Sequence, residues 1–107
     1  MFGLFEKKEM NTKAAEDFWT WFAENEEWII STSKTDGMKV VFAVDDRIKP
    51  IFPYFKKELE FQLGFNNGKG EFFFFYLGNK YLLRDGGILG EMMPEELKER
   101  WTFILEK

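Results

Sequence analysis

A run of five aromatic residues, Phe72–Tyr76, constrains the fold of this chain more than any other feature of its sequence. The run follows Asn66–Gly70, whose residues accept positive φ and therefore predict a hairpin loop. Side chains alternate between the two faces of a strand, so Phe73 and Phe75 point away from the other three rings. A strand that is apolar on both faces needs cover on both, either from its own chain or from a partner.

The predicted hairpin partner, Leu59–Phe65, is apolar on one face and polar on the other. One set of aromatic side chains therefore joins the core, and the other set lies beside polar neighbours on a face that an antiparallel sheet can leave bare. The chain's own Arg84–Met93 segment is one candidate cover for the second set, and a second subunit or a ligand is the other. The residues of the run that we assign to a partner-binding surface are Phe72, Phe74 and Tyr76.

A helix is predicted from about Thr12 to Trp28, because its apolar residues recur at helical spacing and Asn11 can cap its start. Three glutamates then fall in the last turn, where the helix dipole favours cations. That placement suggests a surface kept for a cationic partner; the plainer interpretation has Asn25 ending the helix and the tryptophans packing in the core. The second candidate partner-binding set is Trp21, Asn25, Glu26, Glu27 and Trp28.

The remaining elements are less uniform in their patterns. Met38–Lys49 fits a strand by propensity and a helix, capped by Asp36, by spacing. Further along, we expect Lys80–Arg84 to extend the sheet, Asp85–Gly90 to form a loop or frayed helix, Pro94–Arg100 a helical turn and Trp101–Glu106 a last strand. The predicted core consists of Phe18, Phe22, Leu59, Phe61, Leu63, Trp101, Phe103 and Leu105.

The chain of 107 residues contains neither cysteine nor histidine, which excludes disulfides, thiolate and imidazole metal sites, Ser-His-Asp triads and Cys-His dyads. Its carboxylates do not follow a metal-binding pattern. We therefore predict no catalytic residue, no metal and no cofactor. An enzyme that uses Asp46 or Glu26 is the least favoured alternative.

Charge and the N-terminal sequence bear on partners and location. The net charge of −4 arises from residues 1–30, and no basic stripe is present, so neither nucleic acid nor a membrane surface is an expected partner. Residues 1–10 lack the basic region and long apolar stretch of a signal peptide. We expect one cytoplasmic domain spanning residues 1–107.

Both ends of the chain resemble a known family. Phe18-Trp19-Thr20-Trp21-Phe22 with Asn25-Glu26 resembles the FWxWFxxNE opening of a family of small uncharacterised bacterial proteins, and Met93-Pro94, Leu97 and Trp101–Ile104 resemble its ending. The resemblance covers most of residues 15–106. It implies two N-terminal helices before the sheet, which favours the helical interpretation of Met38–Lys49, and a regular helix where Asp85–Gly90 carries glycines. It implies no activity.

The expected fold is α+β, with N-terminal helices packed on one face of a small antiparallel sheet. The expected function is that of an aromatic-rich, acidic interaction module without catalysis, which binds a protein partner or forms a homodimer through the sheet. One alternative is an immunity-type inhibitor that masks a basic toxin surface. The other is a small-molecule binder with an aromatic pocket between the helices and the sheet.

Overall fold

Helices come first along the chain, and strands are confined to its second half. The computed structural model describes residues 7–107, so the signal-peptide prediction lies largely outside the described part. The elements are α1 (Thr12–Glu24), α2 (Glu26–Ser33), α3 (Gly37–Ile48), a 3-10 turn (Lys49–Ile51), β1 (Glu60–Asn66), β2 (Lys69–Phe75), α4 (Lys80–Glu91), α5 (Glu95–Lys98) and β3 (Trp101–Glu106). This arrangement confirms the α+β class.

The helix predicted from Thr12 to Trp28 is two helices that meet at Asn25. Asn11 caps the first, because its side chain accepts the Ala14 N–H at 3.0 Å. Asn25, with φ at −114°, leaves the helical region, and its side-chain amide donates to the Trp21 carbonyl at 2.9 Å. Glu26 and Glu27 therefore lie in the first turn of α2, where the helix dipole stabilises acids. The prediction that they end a helix unfavourably was wrong.

The ambiguous segment after the polar turn is a helix, α3. Asp36 caps it by accepting the Lys39 N–H at 3.2 Å. Val40, Val44 and Ile48 form its buried stripe. Helical spacing therefore prevails over β propensity here, because one face of the segment packs against α1 and α2.

The sheet has the order β1-β2-β3 and is mixed. β1 and β2 pair antiparallel around Asn67 and Gly68, whose φ values of 53° and 78° are those of a type I′ turn. β3, however, runs parallel to β2. The expected all-antiparallel sheet was wrong on this pairing, because α4 and α5 carry the chain back to the end of the sheet where β2 begins.

The segment between the second and third strands contains a regular helix, α4, rather than a strand followed by a loop or frayed helix. A regular helix at Asp85–Gly90 is what the resemblance implied. Asn79 caps it by accepting the Tyr81 and Leu82 N–H groups at 2.9 and 3.1 Å. Two of its glycines are required by packing: a Cβ at Gly90 would lie 2.6 Å from the Phe103 ring, and one at Gly86 2.9 Å from Leu105. Glycine here lets α4 lie close on the sheet.

All the helices that cover the sheet lie on one face of it, and that face carries the core. Phe72 pairs with Leu63 on one side and Phe103 on the other, and both Phe72 and Phe74 are fully buried. Their assignment to a partner-binding surface was therefore wrong, because α1 and α4 cover them. The Arg84–Met93 segment was expected to cover the set beside the polar residues of β1, but it lies on the core face instead. Of the predicted core, Phe18, Phe22, Leu59 and Trp101 are buried, while Phe61, Leu63, Phe103 and Leu105 are partly buried against it.

The opposite face of the sheet carries Phe73 and Phe75 of β2, beside Ile104 of β3. These side chains are half-buried, because polar side chains of β1 and β3 flank them. Tyr76 lies beyond the strand, half-buried against the core, and its N–H donates to the Glu106 carbonyl at 2.8 Å. The bare aromatic surface is thus made by the other pair of phenylalanines.

Candidate functional site

The carboxylate of Glu26, one of the predicted partner-binding groups, is engaged within the chain. It accepts hydrogen bonds from Arg100 Nε and Nη2, each at 2.8 Å, and from the indole Nε1 of Trp101 at 2.9 Å. The Arg100 guanidinium holds the pKa of Glu26 below its ordinary value, and the Trp101 N–H acts in the same direction. Glu26 therefore ties the start of α2 to the start of β3 and is not free for a partner.

The other members of that predicted set do not form one open surface. Trp21 is half-buried, with the Arg47 guanidinium 5.4 Å from its ring centroid, and Trp28 is half-buried against the core. Asn25 is half-buried at the junction of the two helices, and Glu27 is exposed. The structure therefore favours the interpretation in which Asn25 ends the helix and the tryptophans pack in the core. Of the predicted set, only Glu27 is exposed.

The two most exposed large apolar side chains of the described residues, Met38 and Phe42, lie on α3. Together with Val41 they form a cluster that we call the α3 patch. The exposed fractions of Met38, Val41 and Phe42 are 59%, 38% and 63%. The spacing i, i+3, i+4 places them on one stripe of the helix, opposite the buried stripe. The sequence interpretation of Met38–Lys49 did not single out this patch. The available signal was the pair of adjacent apolar stripes, only one of which can face the core.

A groove of about 260 Å³ lies beside the α3 patch, between α3 and the start of β1. Leu59 and Phe61 supply its apolar lining, and carboxylates of Asp45, Glu58 and Glu60 surround it. Lys49 Nζ lies 3.0 Å from Asp45 Oδ2 and neutralises that carboxylate in part. The patch and groove together offer an apolar centre with an acidic margin, which suits the recognition of an apolar and basic surface.

A buried polar cluster joins α4 to the segment after the 3-10 turn. Asp85, only 2% exposed, accepts from the Tyr54 hydroxyl at 2.6 Å and from Arg84 Nε at 2.9 Å. Burial raises the pKa of Tyr54, and the Asp85 carboxylate raises it further. Arg84 also donates to the Lys8 carbonyl. Because its charge and its hydrogen bonds are satisfied within the chain, the cluster serves to hold α4 in place.

Aromatic rings fill the interface between α1 and the sheet, where a small-molecule pocket was one alternative. Phe22 packs edge-on against Trp101 with ring centroids 5.0 Å apart, and Phe72 stacks on Phe103 at 5.3 Å. Trp19 donates its indole N–H to the Leu89 carbonyl at 2.8 Å and so joins α1 to α4. This interface is packed like a core.

Comparison of the chain with known protein families, curated proteins and solved structures finds no match. The resemblance to small bacterial proteins therefore stays a prediction. Within residues 7–107, no group of three or more acidic side chains is placed to hold a metal ion. No helix in this part of the chain is long and apolar enough to cross a membrane. The function has to be argued from the surface itself.

Proposed function

We propose that this protein is a small interaction module that binds a basic surface of another protein through the α3 patch. The observation that carries the proposal is the exposure of Met38 and Phe42, two large apolar side chains one turn apart on the same helix, at 59% and 63%. Clustered apolar side chains on a small protein mark interaction surfaces, and methionine and phenylalanine are enriched in such surfaces.

The acidic margin of the patch supports a basic partner. Asp46 lies one turn after Phe42 and is exposed, and Glu58 and Glu60 border the groove on the other side. Carboxylates around an apolar centre steer a basic surface into contact and disfavour an acidic one. A second copy of this chain would place like charges together at this patch, so the proposed partner is a different protein.

An immunity-type inhibitor that masks a basic toxin surface is the finer form of this proposal. It draws on the same acidic margin, and the absence of cysteine supports the cytoplasmic location that such an inhibitor needs. A gene for a toxin beside the gene for this protein, and growth rescue on co-expression, are the observations that separate this form from a general interaction module.

The test is photo-crosslinking from position 42. A benzoylphenylalanine at Phe42 is expected to capture a protein with a basic surface from lysate of the source cells, and the captured protein is then purified for calorimetry. Phe42→Ala should weaken its affinity at least about tenfold, or about 1.4 kcal/mol, because an aromatic side chain at the centre of an interface carries much of the binding energy. Glu60→Lys should weaken the affinity through charge.

Ile88→Ala is the matched control, because Ile88 is also an exposed apolar side chain of a helix, at 41%, but lies on α4. It should leave the affinity unchanged. Equal affinities for the wild type and Phe42→Ala, or a partner captured equally well from position 88, would contradict the proposal.

A further inference from the structure

The outer edge of β3 presents unpaired main-chain groups. Gly70 N donates to the Arg100 carbonyl at 2.7 Å, and Tyr76 N donates to the Glu106 carbonyl at 2.8 Å. In a parallel pairing, alternate residues direct their N–H and C=O groups to opposite sides of the strand. The groups of Phe103 and Leu105 therefore point away from β2. Among residues 7–107, no strand pairs with this edge.

A groove of about 470 Å³ runs beside this edge, between β3 and α4. Gly87, Gly90 and Glu91 line it from α4, and Phe103 and Leu105 line it from β3. A Cβ built at Gly87 meets no atom within 4 Å, so the groove is open at this point. Beside the edge of β3 there is space for one more strand, and beside α4 there is space for a helix that covers that strand.

An unpaired strand edge is complemented by an extended strand, and β3 is complementary to itself. A two-fold axis at Ile104 would place Phe103 opposite Leu105 of a second copy, so that both pairs of edge-facing groups form hydrogen bonds. On the other face, Ile104 would lie opposite its own copy and Thr102 opposite Glu106. Apolar side chains meet apolar ones, and no like charges lie opposite each other.

We propose that two copies of this chain pair antiparallel through β3, forming a continuous six-stranded sheet with the two α4 helices side by side. Because Gly86 lies over Leu105 and Gly90 over Phe103, the part of α4 between these two glycines lies above Ile104. The same axis therefore brings Gly87 beside its copy, where the missing side chain permits close helix packing.

Charge and exposure along α4 support this arrangement. About an axis beside Gly87, Glu91 of one α4 would lie opposite Leu83 of the other, and no like charges would lie opposite each other. Leu83 lies one turn before Gly87 and is 43% exposed. β3 and α4 are thus each complementary to their own copies about the same two-fold axis. An unrelated extended segment could pair with β3 but would not supply the second helix, so a second copy is the favoured partner. This surface lies apart from the α3 patch, so the inference goes beyond the proposed function.

Solution mass is the first test. The wild type at micromolar to high micromolar concentration is expected to show twice the 12.8 kDa chain mass by sedimentation equilibrium. Gly87→Arg should shift the protein to the monomer, because the side chain fills the groove without touching its own core. Gly37→Arg is the control: Gly37 also lies in a helix with nothing within 4 Å of a Cβ, and that variant should stay dimeric.

The second test is a disulfide between two copies through one introduced cysteine. Because the chain contains no other cysteine, any disulfide must join the introduced residues. Directly opposed residues of a non-hydrogen-bonded antiparallel pair have Cα atoms about 4.5 Å apart, within the range of a disulfide. Ile104→Cys should therefore form a covalent dimer under mild oxidation. Thr102→Cys, on the same face, would lie about 14 Å from its copy and should not.

A wild type that is monomeric at every concentration would overturn the proposal, and so would equal cross-linking of the two cysteine variants. If the protein is a monomer, hydrogen exchange at the Phe103 and Leu105 amides shows what lies at the edge of β3. Slow exchange would mean that another segment of the same chain pairs with the edge. Fast exchange would mean that the edge is unpaired and open to a segment of another protein. Binding at the α3 patch is measured separately, so either proposal can fail without the other.

Discussion

Phe72 is fully buried in the core, and its neighbour Phe73 is half-buried on the other face of the sheet. Because both are phenylalanines, the pair shows how much burial in the core contributes to the free energy of unfolding. Phe72→Ala should lower the free energy of unfolding by about 3–5 kcal/mol, because it leaves a cavity among α1, β1 and β3. Phe73→Ala should cost less than half as much, since this side chain is half-buried on the bare face of the sheet. Urea unfolding of both variants measures the difference. Equal losses would contradict the strand register.

At the scale of single residues, the sequence predicts that alternate aromatic side chains differ but not which set is buried. The buried set follows from the hairpin register, because a two-residue turn at Asn67-Gly68 places Phe72 beside Leu63 on the apolar face of β1. The sequence analysis treated all of Asn66–Gly70 as the loop and so left this register open. On α3 the pattern is less informative: Val40 and Val41 are both apolar and adjacent, and only the packing of α1 and α2 decides that Val40 is buried. The α3 patch was missed for this reason.

Helix starts were predicted at two of the residues that cap them, Asn11 and Asp36. Asn79 caps α4 in the same way, but a strand was predicted there. The plainer interpretation had Asn25 ending the helix, and the structure places the break there. It did not include the second helix that follows, whose Glu26 contacts Arg100 and Trp101, 74 and 75 residues further along the chain.

The contact between α2 and β3 should be visible as a pH-dependent contribution to stability. The folded-state pKa of Glu26 is lowered, so its stabilisation is present above its ordinary pKa of 4.5 and is lost as the pH falls through the folded value. Glu26→Gln keeps an acceptor for Trp101 but removes the charge. It should lower the free energy of unfolding by about 1–3 kcal/mol at pH 7, with the difference vanishing in acid.

Urea unfolding of the wild type and Glu26→Gln at pH 7 and pH 3 provides the measurement. Glu27→Gln is the control, since this neighbour lies in the same first turn of α2 and is exposed. A difference between Glu26→Gln and the wild type that persists unchanged at pH 3 would show that the charge of Glu26 does not stabilise the contact.

For the whole molecule, the order of helices and strands predicted the fold class, but the direction of β3 was missed. Strand direction follows from the connection: a few residues form a hairpin, whereas a dozen or more can cross over the sheet. Residues 76–100 form this connection. Because Asp85–Gly90 was interpreted as a loop or frayed helix and Lys80–Arg84 as strand, the crossover helix that reverses the chain was not recognised.

Stability of the whole molecule should be nearly constant between about pH 6 and 7.5, because no histidine titrates there. It should fall in acid as Glu26 becomes protonated. It should also fall in alkali: the pKa of Tyr54 is raised by folding, so its contribution is complete below the ordinary value of 10.0 and is lost as the pH rises above it. Thermal unfolding across pH 3–11 measures the profile. A steep change between about pH 6 and 7.5 would reveal a titrating group in another environment.

The parallel pairing of β2 with β3 also determines the order in which the chain folds. A hairpin closed by a two-residue turn forms within about 1–10 μs, so β1 and β2 meet early. β3 pairs only after residues 76–100 have crossed the sheet, and until then the aromatic strand has a free edge. Short segments of this composition join copies of themselves into cross-β aggregates. The concentration of chains during refolding, rather than the stability of the native state, therefore governs how much protein is recovered.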